Sequence, residues 1–321
     1  MSDPTGLRPV DTAEVTILID NTIDILLPSD AVAKRPPRTW DTLERFRLVA
    51  EHGYALAVAV ERDGHRSTML YDAGLGDDSV VRNADMLGMP LGELRAIALS
   101  HGHADHHGGL PGLVRRLGAR RMPLVLHPDA WLDRKIVPPP GAGSEMHLPP
   151  PTRTDVERDG IVVIEERGPT LLVDDAVLVT GEVRRTTDFE PGLPMQQAQR
   201  GGRWVPDPLV ADDQAIVLHV RGKGLVVLSS CSHSGVVNVL RHAQAVTGVD
   251  RIHAFVGGMH LGFPVPASAV ARTIDEVVAL APDHIVPGHC TGWRAIHELA
   301  RRLPDAYVQP SVGTTLRFAA T

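Results

Sequence analysis

The stretch Ser100-His101-Gly102-His103-Ala104-Asp105-His106-His107-Gly108-Gly109 constrains this chain more than any other. It crowds three imidazoles and a carboxylate, His101, His103, Asp105 and His106, into six positions. The cluster follows the apolar run Ala96-Ile97-Ala98-Leu99, which reads as the end of a buried strand. His101 and His103 fall on one face of an extended turn, whereas Asp105 and His106 open the next element. Ligands presented in two directions are what two adjacent metal sites require. Imidazole nitrogen and carboxylate oxygen suit zinc, iron and manganese, and a pair of such ions generates a hydroxide and holds an anionic transition state.

Composition narrows the setting. A chain of 321 residues with 43% hydrophobic content buries one large core or two modest ones, and chemistry-bearing motifs spread along its length favour a single domain over 1–321. The formal net charge of -7 argues against a nucleic-acid or anionic-membrane partner and leaves a small-molecule substrate, with oligomeric state open. No apolar run reaches the roughly 18 residues of a membrane span, and Met1-Ser2-Asp3-Pro4 lacks the basic start of a secretion signal. The two cysteines, Cys231 and Cys290, each sit beside a candidate histidine, which suits a reducing compartment. A cytoplasmic protein is expected.

Periodicity supplies a coarse map. Strands are expected over 14–21, 53–60, 68–72, 93–100 and 123–128, the second and third joined by a turn at Asp63-Gly64. Further strands are expected over 161–164, 170–173, 177–180, 215–220, 225–230, 252–256 and 284–289. Helices are expected over 77–87, 110–117, 236–246 and 268–280. The segment 27–47 reads as irregular, as do a proline-rich insertion at 138–151 and a charged loop at 181–208. That insertion is either a flap near the site mouth or a linker, and the loop is either a binding lip or a disordered excursion.

The pattern HxHxDHxGG resembles the signature of the metallo-β-lactamase superfamily. Within it the chain resembles the 7,8-dihydropterin-6-methyl-4-(β-D-ribofuranosyl)aminobenzene-5'-phosphate synthase group, from about Val15 to about Arg294. The likeness is carried by Gly181-Glu182-Val183-Arg184, Asp188-Phe189-Glu190, Cys231-Ser232-His233-Ser234-Gly235, Gly257-Gly258-Met259-His260-Leu261 and His289-Cys290-Thr291-Gly292. It implies an α/β architecture, an αββα sandwich with a dinuclear metal site at the sheet edge. It also favours the lip reading of 181–208.

The resemblance further implies residue roles. Asp72 matches an aspartate that orients a metal-binding histidine from behind, and His289 matches the final ligand. Where many members carry a histidine, this chain has Ala211-Asp212-Asp213-Gln214, and where most carry Gly-Asp with a bridging aspartate it has Cys231 and its neighbours. His233 then becomes the candidate for the missing imidazole, with Asp213 and Cys231 as other ligands or supports. The expected first site is His101, His103 and His233, and the second Asp105, His106 and His289. Two divalent ions would occupy them, zinc first, with manganese or iron as alternatives. Asp105 would also accept a proton or orient the nucleophile, and His260 would act as a proton shuttle or substrate contact. His127, before a proline, matches no metal motif of the family.

The leading expectation is metal-dependent hydrolysis of an ester, phosphodiester, lactone or amide. The alternative is a pterin-condensing transferase that releases diphosphate, with Arg184 and Arg185 as phosphate contacts. At 4% aromatic residues, a stacking site for a pterin would rest on a few side chains such as Phe189, Trp204 or Phe263. A di-iron redox protein and a binding module without metal stand further off.

Overall fold

The computed structural model describes residues 5–37, 47–157, 160–262 and 265–320. In its first half the strands are β1 (Thr12–Ile19), β2 (Ala33–Lys34), β3 (Ala55–Arg62), β4 (His65–Tyr71), β5 (Leu94–Ala98), β6 (Met122–Leu126), β7 (Arg134–Ile136), β8 (Met146–Leu148) and β9 (Ile161–Glu165). The second half adds β10 (Thr170–Leu172), β11 (Val177–Val179), β12 (Gln196–Arg200), β13 (Arg203–Pro206), β14 (Ile216–Val220), β15 (Gly224–Ser229), β16 (Ile252–Gly257), β17 (His284–Pro287) and β18 (Thr315–Ala319). The longer helices are α1 (Ser79–Met86), α2 (Leu110–Leu117), α3 (Val236–Thr247), α4 (Ala267–Leu280) and α5 (Trp293–Arg302).

One sheet runs β2-β18-β1-β3-β4-β5-β6-β9 and another β10-β11-β14-β15-β16-β17. Period-two alternation assigns each strand's side chains to two layers. Val15, Ile17, Leu56, Val58 and Met69 of the first sheet meet Val179, Ile216, Leu218, Val226 and Leu228 of the second. The opposite face of the first sheet, with Leu18, Ala57, Leu70 and Ile97, packs on Val80, Leu110 and Leu113 of α1 and α2. On the far side, Val217, Val227, Phe255 and Ile285 pack on Val237, Leu240, Ile274, Val277 and Leu299 of α3, α4 and α5. The layers are therefore helix, sheet, sheet, helix, the expected αββα sandwich.

In both sheets antiparallel hairpins give way to parallel strands joined through helices. The parallel strands deliver their C-terminal ends, and the loops that follow, to one edge of the sandwich. Gln214 stitches the halves together there: its backbone N–H donates to Ser100 O at 3.0 Å, its side chain to Leu99 O at 2.8 Å, and its carbonyl accepts from Tyr71 Oη at 2.7 Å.

Three features depart from the sequence reading. The segment 27–47 is not wholly irregular, because Ala33–Lys34 pairs with β18; residues 38–46 lie outside the described residues. The insertion at 138–151 contains β8, and the loop at 181–208 contains the hairpin β12–β13. Together with β7 these form a third, four-stranded sheet in the order β13-β12-β7-β8, which the sequence reading did not foresee.

Candidate metal centre and pocket

The motif folds as its residue types require. After β5, His101 leaves the sheet, His103 stands in extended conformation ahead of the single helical turn Ala104–His107, and α2 follows. The two glycines of the motif permit close chain contact. A Cβ on Gly108 would sit 2.1 Å from Leu75 O and one on Gly109 2.1 Å from Ala73 O, so any other residue would push this turn off the strand-end loop beneath it.

Two sets of side chains converge. In one, His101 Nε2 lies 3.0 Å from His103 Nδ1 and 3.1 Å from His233 Nε2. In the other, His106 Nε2 lies 3.2 Å from Cys231 Sγ and 3.5 Å from Asp105 Oδ2, which is itself 3.4 Å from His289 Nε2. Cys290 Sγ lies 3.4 Å from Cys231 Sγ. All of these residues are buried except Asp105 and Cys290, which are partly so.

The hydrogen bonds behind the rings fix which nitrogens face inward. The buried Asp72 carboxylate accepts from Ser100 N at 2.7 Å, Ser100 Oγ at 2.7 Å and His106 Nδ1 at 2.8 Å. With its hydroxyl proton committed to Asp72, Ser100 Oγ accepts from His101 Nδ1 at 2.8 Å. His103 Nε2 donates to Gln196 Oε1 at 2.8 Å. His101 and His103 thereby place their protons on the outer nitrogens and turn lone pairs inward, the arrangement typical of metal-binding histidines, while His106 points Nε2 inward, free for a metal once the proton there is displaced.

These facts test whether the residues suit a metal. Ligands about 2.1 Å from a tetrahedral ion stand roughly 3.4 Å apart, and the inward nitrogens are spaced near that value. The lone pairs of His101 Nε2 and His103 Nδ1 face one another and cannot satisfy each other by hydrogen bonding. Neither ring nitrogen of buried His289 has a hydrogen-bond partner. The first donor set therefore fits a divalent cation in composition and spacing, and in the second the donors close enough to share one ion are His106 with Cys231 and His101, and Asp105 with His289 and His52.

Electrostatics points the same way. Burial, reinforced by the neighbouring imidazoles His106, His103 and His233, pushes His101 well below the usual imidazole range. Burial also takes His103 and His289 down to about 4. Burial opposes charge on Asp105 and His106 too, yet each holds the other ionised, so Asp105 is lowered and His106 raised. The backbone carries matching strain, with positive φ at Asp72 (60°), Ser232 (54°), His260 (46°) and His289 (49°), non-glycine residues clustered around this one centre.

The remaining residues singled out in the sequence fall around this core. Asp213 Oδ2 accepts from Ser234 N at 2.8 Å, so it supports the loop carrying His233 instead of joining either donor set; burial raises its carboxyl to about 6. The His260 ring lies 4.6 Å from that of His233, tilted by 48°, and lines the pocket. Arg185 does not face that pocket: it donates to the carbonyls of Ser234 at 3.2 Å, His233 at 3.1 Å and Leu209. Arg184 is exposed and does not line the pocket either. Phe189 lies under Arg272 and Trp204 beside Lys135, both off the pocket lining, while Phe263 is outside the described residues. His127 bonds Glu182 at 3.0 Å, away from the centre.

Several contributors escaped the sequence reading. Gln196 buttresses His103 and donates to Asp207 Oδ2 at 3.1 Å. The fully buried Arg134 pairs with Asp207 at 3.0 Å and Asp212 at 2.6 Å, and Asp212 accepts from Gly102 N at 2.8 Å. Asp20 accepts from His289 N at 2.8 Å, and burial raises its carboxyl to about 6. His52 reaches to 3.8 Å from Asp105. Only Ser100, inside the motif, carried a local signal.

Above the centre opens a cavity of about 450 Å³, floored by His52, His103, Asp105, His233 and His260. Among the described residues no helix is long and apolar enough to cross a membrane.

Comparison with known proteins agrees with this architecture. Residues 51–187 match the profile of the metallo-beta-lactamase superfamily. The 7,8-dihydropterin-6-methyl-4-(beta-D-ribofuranosyl)-aminobenzene-5'-phosphate synthase of Methanocaldococcus jannaschii is 26% identical over 84% of this chain and 90% of its own length. Among solved structures, Tm1679, a metal-dependent hydrolase of the beta-lactamase superfamily, aligns over 96% of this chain and 100% of its own with 22% identity and a TM-score of 0.72. A diphosphatase from the PhnP family aligns more loosely, with 15% identity over 96% of this chain and 97% of its own and a TM-score of 0.49.

Proposed function

We propose that this chain, a member of the metallo-β-lactamase superfamily, is a dinuclear metal-dependent hydrolase of an ester, phosphodiester, lactone or amide. The observation that carries the reading is the convergence of two inward-facing donor sets on the floor of a pocket large enough for a small molecule. His101, His103 and His233 would hold the first ion. Asp105, His106 and His289 would hold the second, with Cys231 as a thiolate neighbour. Zinc suits this mixture of nitrogen, oxygen and sulfur donors, and manganese or iron suits the nitrogen and oxygen alone. Bound there, the ions supply a hydroxide at neutral pH and a Lewis acid for the scissile group.

The chain's own residues divide the rest of the work. Asp105 is ionised and opens onto the pocket, so it is placed to accept or orient the nucleophile's proton. His260, kept neutral by burial, lines the same floor and would take up the nucleophile's proton and return it to the leaving group. Asp72 and Gln196 hold the ligand rings in one tautomer. The substrate is a small molecule, and the closely spaced free thiols Cys231 and Cys290 favour a reducing, cytoplasmic setting.

A second reading, a pterin-condensing transferase releasing diphosphate, is favoured by the match to the Methanocaldococcus synthase. Against it stand Arg184 and Arg185, which do not line the pocket, and the absence of phenylalanine, tyrosine and tryptophan among the described lining residues. The test incubates metal-loaded protein with chromogenic ester, lactone and phosphodiester substrates and, separately, with a pterin methyl diphosphate and an aminobenzene acceptor. Turnover of one of the chromogenic substrates, lost in Asp105→Ala, supports hydrolysis. Acceptor-dependent diphosphate release with no hydrolysis overturns it.

A further inference from the structure

The walls of the pocket specify its substrate more narrowly than the metal chemistry does. Above the polar floor they are built from Leu75, Ile136, Met146, Leu148, Leu193 and Met195. These come from β7, β8 and the approach to β12, so the third sheet forms most of a sleeve over the centre. No lysine or arginine and no phenylalanine, tyrosine or tryptophan lines it among the described residues.

The nearby cations are already engaged. Arg134 is buried between Asp207 and Asp212, Arg185 is tied to backbone carbonyls, and Lys135 bonds Glu145 at 2.8 Å. A substrate with anionic groups away from the reacting centre would leave them facing hydrocarbon, which is costly. A flat heteroaromatic ring would find only the imidazoles of the floor to stack on among the described residues. Met146 is 56% exposed and Leu75 45%, so apolar surface stands open to solvent at the mouth. Two flexible methionine side chains suit a pliable chain better than a rigid ring.

We propose that the sleeve binds the saturated hydrocarbon tail of an uncharged carbonyl substrate, an acyl ester, lactone or amide, with its carbonyl directed to the floor. This rests on the hydrolytic reading for the reaction, but the sleeve's preference is measurable without turnover. Alkyl hydroxamic acids, neutral near pH 7, share one carbonyl headgroup and differ only in tail, so their affinity trend reports the walls alone.

The experiment titrates metal-loaded protein calorimetrically with a straight-chain series from acetyl to octanoyl hydroxamic acid, and with inorganic diphosphate. The affinity should rise by roughly two- to fourfold per methylene. Met146→Glu and Met195→Ser should each flatten that rise, with metal content and circular dichroism confirming intact protein. A series that stays flat in the unaltered protein, or diphosphate binding tighter than the octanoyl compound, overturns the proposal. A steep series in a protein that hydrolyses no ester, lactone or amide would retain the sleeve and discard the hydrolytic reading.

Discussion

Replacing Asp72 by asparagine separates geometry from charge. In the native chain one carboxylate accepts three hydrogen bonds, from Ser100 N, Ser100 Oγ and His106 Nδ1. An amide offers a single acceptor. If its oxygen keeps Ser100 N–H, its NH₂ faces His106 Nδ1, and the His106 proton must move to Nε2, the nitrogen 3.2 Å from Cys231 Sγ. The second donor set then loses a lone pair. If the amide turns the other way, its NH₂ opposes Ser100 N–H and leaves a buried donor unsatisfied, at about 1–3 kcal/mol. Disrupting such supporting hydrogen bonds lowers metal affinity by about 10- to 100-fold, or about 1.4–2.7 kcal/mol. His101 is linked to Asp72 only through Ser100 Oγ, so the first ion should be affected less. Competition with a chromophoric zinc chelator resolves the two affinities, and thermal unfolding checks the fold. A folded Asp72→Asn protein with both affinities unchanged would refute this account of the ligand tautomers.

Arg134→Leu leaves Asp212 buried without its cation and Asp207 with only Arg200 at 3.6 Å, so denaturant unfolding should show a loss of about 3–5 kcal/mol; a loss under about 1 kcal/mol would contradict the pairing. Gly258→Ala places a Cβ 2.3 Å from Ser230 O and 2.6 Å from Cys290 Sγ, and overpacking of that kind costs about 1–3 kcal/mol, so an unchanged melting temperature would count against it. Arg185→Ala should weaken metal retention, because it frees the loop carrying His233; a change confined to substrate KM would instead make Arg185 a substrate contact. In metal-free protein His103 and His289 should titrate near pH 4, not near the unfolded value of about 6.5. Their contribution to stability is thus present above that unfolded value and withdrawn as the pH falls from it towards 4. Ring-proton NMR midpoints near 6.5 would contradict this.

The sandwich was legible because its strands advertise themselves. Alternating or continuous apolar runs such as Val15–Ile19 and Leu225–Leu228 are demanded by burial between layers, and turn residues mark their ends. The third sheet was not legible, since Gln196-Gln197-Ala198-Gln199-Arg200 carries almost no apolar alternation, and its pairing with β7 and β13 is set by tertiary context. The candidate site divides similarly. The crowded motif and the strand-end histidines His233, His260 and His289 are visible as residue types at strand termini, and the fold brings them together. Gln196, Arg134, Asp207 and Asp212 act through long-range bonds that no local spacing encodes. Arg185 illustrates a further limit, because guanidinium donors serve backbone carbonyls as readily as phosphates.

The central claim, a centre holding two ions, is tested most directly by elemental analysis of the protein purified without chelator, counting ions per chain. The account predicts two divalent ions in the native chain. One ion or none, with added metal restoring neither a second ion nor hydrolysis, would contradict it.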